Sequence, residues 1–209
     1  MIDDLDRTLA ALLAQGLPPS LAEQVTVTFA TPNDQFPPPS VALPAVDLFL
    51  YDVRENRELR RAEPRVERRN GGFLQTPPPV RVDCSYLVTA WASESSTTPA
   101  YDEHRLLGEA MRVLLRHPVL PAEVLQGSLQ SQEQPPPTTT LQSGHLQNLA
   151  EFWQALGGRA RAALNYTVTL AVQVREPVEL GAPVAERVVR LGVGGPGGGV
   201  PDESPPGSH

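Results

Sequence analysis

The sequence predicts an α+β fold, a mixed and mainly antiparallel sheet of about four to five strands packed with two to three helices. Two kinds of pattern carry this. Apolar residues recur at helical spacing in three stretches and alternate with polar ones in others. The elements follow in the order α-β-β-β-α-α-β-β, which is not the strict βα alternation of a parallel doubly wound sheet. The 23 prolines, about twice the usual share, rule out one long helix or one uninterrupted sheet, because each removes an amide donor and fixes φ.

Ile2, Leu5, Leu9, Leu12 and Leu13 form the first helical stripe, with Asp3 and Asp4 at the end where the helix dipole favours negative charge. Gly16 and Pro18-Pro19 stop it. Val25, Val27 and Phe29 alternate with Thr26 and Thr28 as a strand. The run from Ala45 to Val53 is apolar enough for a buried strand, with Asp47 and Asp52 near its ends. Val80, Val82, Cys84, Tyr86, Val88 and Ala90 alternate with Arg81, Asp83, Ser85 and Thr89, the clearest strand in the chain and long enough to be central or strongly bent. Thr98 and Pro99 open a second helix, whose stripe is Leu106, Leu107, Ala110, Met111, Leu114 and Leu115 and which Pro118 ends. Residues 122–129 suit one short helical turn. A third helix is expected from His145 to Leu156, with Leu146, Leu149, Phe152, Trp153 and Leu156 inside. Tyr166, Val168, Leu170, Val172 and Val174 alternate as a strand, and Val184 to Leu191 is a weaker candidate whose Pro183 favours an edge.

A single domain is expected over 1–191, interrupted by two connections. Residues 54–79 read as a long Arg-rich loop excursion that passes Asn70-Gly71-Gly72 and ends at Pro77-Pro78-Pro79; residues 130–144 read as a polar, Pro-rich loop. The Gly/Pro/Ser composition of 192–209 cannot bury enough apolar area to offset its ordering entropy, so a disordered tail is expected there.

All 17 basic residues are arginine, against 24 acids, for a net charge of -7. Residues 54–69 carry Arg54, Arg57, Arg60, Arg61, Arg65, Arg68 and Arg69 against Glu55, Glu58, Glu63 and Glu67, a balance of +3, so the remainder of the chain carries -10. Arginine is enriched at protein interfaces and pairs bidentately with carboxylates. These seven are therefore the candidate contacts with a neighbouring subunit or partner; the competing reading is a solvated loop.

No chemistry stands out beside them. Without lysine there is no Schiff-base, Walker-type or Ser-Lys site. His104, His117, His145 and His209 lack the i,i+4 spacing of a helical zinc pair, and the lone Cys84 cannot share a thiolate site. Cys84 lies on the apolar face of its strand, where a buried thiol is the ordinary reading and a hydrolase nucleophile the exotic one. No catalytic residue, cofactor or metal is expected. The acidic pI and 5% aromatic content argue against nucleic acid, and no apolar run is long enough for a membrane span. The start Met1-Ile2-Asp3-Asp4 lacks the basic opening of a secretory signal.

Three stretches together resemble a known family: residues 48–56 (Leu48-Phe49-Leu50-Tyr51-Asp52-Val53-Arg54-Glu55-Asn56); residues 79–91 followed by Glu103-His104-Arg105-Leu106-Leu107-Gly108 and His117-Pro118-Val119-Leu120; and Phe152-Trp153-Gln154-Ala155-Leu156-Gly157 leading into Ala163-Leu164-Asn165-Tyr166. They resemble the cap, or tube-terminator, proteins of extracellular contractile injection systems of the anti-feeding-prophage type, over most of residues 1–175. The resemblance implies a fold like phage tail terminators and a structural, non-enzymatic role. Six copies would form a ring on the distal ends of inner tube and sheath, with itself, tube and sheath proteins as partners. Assembly would take place in the cytoplasm, as part of a phage tail-like particle that can be released. Another adaptor of the same particle, at the baseplate or sheath end, is the alternative. Some family members carry further C-terminal domains, whose functions are not expected of this sequence.

Overall fold

The computed structural model describes residues 1–69, 72–142 and 148–180. The stripe at the start of the chain forms α1 (Ile2–Gly16), followed by the single turn α2 (Pro19–Ala22). Five strands make the main sheet: β1 (Thr26–Thr28), β2 (Ala45–Glu55), β5 (Val80–Trp91), β6 (Thr138–Thr140) and β7 (Ala163–Val172), in the order β1-β2-β5-β7-β6. Only β1 and β2 run parallel; the other pairs are antiparallel. The long alternating strand β5 is central, as its length suggested.

Helix α3 (Pro99–Arg116) and α1 cover one face of this sheet. Leu5, Leu9, Leu12 and Leu13 meet Val46, Leu48, Cys84, Tyr86 and Val88 from β2 and β5, Leu106, Ala110 and Leu114 from α3, and Val168 and Leu170 from β7. Gly16 lets α1 and α3 close together, since a Cβ there would stand 2.5 Å from Val113 Cγ1. The stripe of α3 keeps Leu106, Leu107, Ala110 and Leu114 as expected, but buries Val113 in place of Met111 and Leu115. On the opposite face, α4 (Leu149–Ala155) packs Phe152 against Phe49 and Tyr51, while Phe36 stacks on Trp91 at 4.0 Å between ring centres. Both faces of the upper sheet are thus covered, which is why Leu87 and Thr89 are buried along with the alternate residues.

Half of the described residues in the expected loop at 54–79 are strand. β2 runs on to Glu55, and β3 (Arg65–Arg69) and β4 (Gly72–Thr76) form an antiparallel pair joined by residues 70–71. The physical reason is alternation. Val66 with Arg68, and Phe73 with Gln75, keep a period of two on either side of an Asn-Gly dipeptide, and arginine stems do not break strands. β8 (Val178–Leu180) adds to β4, giving a second sheet in the order β3-β4-β8. This arm was not expected.

The loop expected at 130–144 likewise holds the edge strand β6, because a β-branched Thr triplet follows prolines that an edge tolerates. Residues 122–129 give two short 3-10 segments, Ala122–Val124 and Gly127–Ser131. Helix α4 is seen from Leu149, where the Asn148 side chain accepts from the Glu151 amide and caps it. The expected start at His145, the candidate strand 184–191 and the tail 192–209 lie outside the described residues.

Candidate functional site

The seven arginines do not act as one patch. Arg54, near the end of β2, pairs with Asp52 at 2.5 Å. Arg60 grips Glu55 with two nitrogens, each at 2.9 Å. Arg65 bridges to Glu67 on its own strand and to Glu133 of the body. Arg57, Arg61, Arg68 and Arg69 have no ion pair among the described residues. All seven are on the exposed arm or the segment leading into it. Surface pairs of this kind are worth little, about 0–1 kcal/mol each, so the three paired arginines fix geometry more than they stabilise.

Arg61 and Arg65 also line a groove of about 640 Å³ between arm and body, together with Thr76, Arg81, Ser131 and Gln132. The groove shows which way the arm sheet faces. Register puts Arg65, Glu67, Arg69, Leu74, Thr76 and Glu179 on one face of that sheet. It puts Val66, Arg68, Phe73, Gln75, Val178 and Leu180 on the other. The charged face, through Arg65 and Thr76, looks into the groove toward the body; the mainly apolar face looks away from it. No residue of β3, β4 or β8 is fully buried. Sequence reasoning found the arginines and missed this face; the signal was the Val66/Arg68 and Phe73/Gln75 alternation about Asn70-Gly71.

The rest of the molecule offers no reactive centre among the described residues. Cys84 is fully buried on the helix-covered face, and burial pushes its thiol up to about 11, so little thiolate exists at neutral pH. Asp47 does not converge with Asp52 and Asp83, which are diagonal neighbours in register, Asp52 opposite Ser85 and Asp83 opposite Arg54. Asp47 pairs across the sheet with Thr89, whereas Asp83 lies six residues further along β5, accepting from Asn56 Nδ2 at 3.0 Å and Thr169 Oγ1 at 2.6 Å. No group of three metal-ligating side chains occurs among the described residues.

Two carboxyls are strongly perturbed for structural reasons. Asp4 accepts from both the Ser128 amide (3.1 Å) and hydroxyl (2.7 Å), which holds it down at about 2. With Thr8, whose Oγ1 accepts from the Gln126 amide at 3.0 Å, it ties α1 to the 126–131 segment. Asp47 is fully buried with neither carboxyl oxygen hydrogen-bonded, and desolvation pushes it up to about 8. The Ala30 amide opposes this in part, short of hydrogen-bonding geometry.

The body is an α+β layer with an arm sheet extending beyond its core. Residues 4–187 match the family described as the Pvc16 N-terminal domain, and the chain belongs to that family. Two cryo-EM structures share its fold. The sheath/tube terminator of the extracellular contractile injection system PVC, in its extended state, is 23% identical with a TM-score of 0.67. That match covers 93% of this chain and 64% of the other. The anti-feeding prophage cap, a tube-terminating cap, is 25% identical with a TM-score of 0.62, over 91% of this chain and 61% of the other. This chain therefore spans less than two thirds of the length of either structure. No curated protein matches it.

Proposed function

We propose that this chain is a structural terminator of a contractile injection system, a subunit of a homohexameric ring that closes the distal ends of inner tube and sheath. The observation that carries this is the family match over residues 4–187, together with a shared fold along 93% of the chain with a protein that terminates sheath and tube. A terminator works through complementary surfaces. A closed ring needs two different patches that meet head to tail, and an acidic body with a basic arm is suited to supply them. The domain unit proposed for this role is 1–191, with 192–209 as an appended tail. Assembly is proposed to occur in the cytoplasm, on a particle that is afterwards released.

Negative-stain imaging and native mass measurement of the purified chain test the ring. Rings of six that bind the ends of purified tube support the proposal. A strict monomer at high concentration that binds neither tube nor sheath overturns it; binding at the baseplate end instead would make the chain another adaptor of the particle.

A further inference from the structure

The arm sheet is built the wrong way round for a lone subunit. A sheet buries its apolar face against a second layer, and a small sheet draws its stability from that face. Here the charged face looks toward the body and the apolar face looks outward. Val66, Val178 and Leu180 on that outer face are 52%, 56% and 40% exposed, and Phe73 between them is only half-buried. Arg68, in register with Phe73 and Leu180, stands among them with no carboxylate partner in the described residues. The missing layer must therefore bring apolar surface and a carboxylate together.

Among the described residues, the corner at 92–104 has that composition. Residues 92–104 carry Glu94, Asp102 and Glu103 and no arginine; Asp102 and Glu103 are paired with Arg105 and Arg161, which leaves Glu94 as the carboxylate without an ion pair among the described residues. Within them Tyr101 is 78% exposed, more than any other large apolar side chain described. Glu94 is exposed. This corner sits where β5 ends at Trp91 and α3 begins. The arm departs from the other end of the same strand, near Val80. Twelve residues of strand separate the two ends, roughly 35–40 Å at the usual rise, so the arm does not reach the corner of its own copy.

We propose that the outer face of the arm sheet docks on the 94–102 corner of a second copy of this chain, Tyr101 covering Val66, Phe73 and Val178 while Glu94 pairs with Arg68. Two different patches at opposite ends of one subunit make a heterologous contact, the kind that closes a ring. The inference rests on the ring reading above and names the surfaces that would make it.

Cysteine pairs test it directly, because Cys84 is buried and takes no part. A chain carrying both Val66→Cys and Tyr101→Cys should, on mild oxidation, give a ladder of covalent multimers ending at the closed ring. Either single variant should not ladder. Val66→Glu with Val178→Glu should abolish self-association and leave far-UV circular dichroism and Tm unchanged. If rings form but the double-cysteine chain gives no ladder, the docking surfaces are wrong while the ring stands. If no multimer forms at all, the docking falls, and the ring reading falls with it when the chain also binds neither tube nor sheath. Self-association retained with a lowered Tm would show that the face is covered within one chain. Self-association retained with lost tube or sheath binding would assign it to those proteins. Both overturn the proposal.

Discussion

Asp47→Asn isolates the one carboxyl that the fold penalises for being charged. Asp47 is fully buried, neither oxygen is hydrogen-bonded, and desolvation raises it from its ordinary 3.8 to about 8. A group that binds its proton more tightly when folded costs nothing below its unfolded value. The cost grows as pH rises between the two values and is complete above the folded one. At about 1.4 kcal/mol per pH unit, the interval from 3.8 to about 8 sets a ceiling of about 6 kcal/mol. The other perturbed groups are common to both chains and cancel in the difference. Asp4, held down, loses its stabilising contribution only below about pH 4, and Cys84 acts only above its ordinary 9. Urea unfolding of both chains from about pH 5 to about pH 8 should show the wild type losing up to about 1.4 kcal/mol more per unit than the variant. The two should lie nearest at the acid end. Parallel profiles would refute the reasoning, because they would mean that Asp47 ionises in the folded chain as readily as in water.

Gly127 has φ +52°, and a Cβ there would overlap Asp4 Oδ1. Gly127→Ala should cost about 2–3 kcal/mol in urea unfolding, through backbone strain and the displaced Asp4–Ser128 contact. Asp4→Asn should flatten the loss of stability that the wild type shows as pH falls from about 4 to about 2, since the stabilisation from its depressed carboxyl is present above the unfolded value and lost below it. Cys84 should resist thiol reagents in the native protein and react once it is unfolded; rapid modification of the folded chain would show that the strand is not held under α1 and α3.

Much of the body was legible because its patterns are simple. The 3.6-residue stripe of α1 and the twelve-residue alternation of β5 each point to one answer, and both strand and helix sit where the pattern puts them. The arm was not legible, because a run rich in arginine looks like solvated loop when it is read for charge. Its alternation is carried by only one or two apolar residues per strand, and β8 comes from more than a hundred residues further on. The burial of Asp47 was hidden for a different reason. In a strand covered on both faces the apolar run is nearly continuous, so parity does not say which side an acid faces. The arginines were visible one by one, but their sorting was not. Arg65 finds Glu133 across 68 positions of sequence, and only the folded chain separates it from Arg57, Arg61, Arg68 and Arg69, which have no ion pair among the described residues.

The central claim is that this chain closes the distal end of a tube and its sheath. Electron microscopy of particles assembled with a gold-labelled copy tests it most directly. The account predicts label at one end of each particle, opposite the baseplate, and tubes of uncontrolled length when the chain is removed. Label along the sheath or at the baseplate, with tube length unchanged on removal, would contradict it.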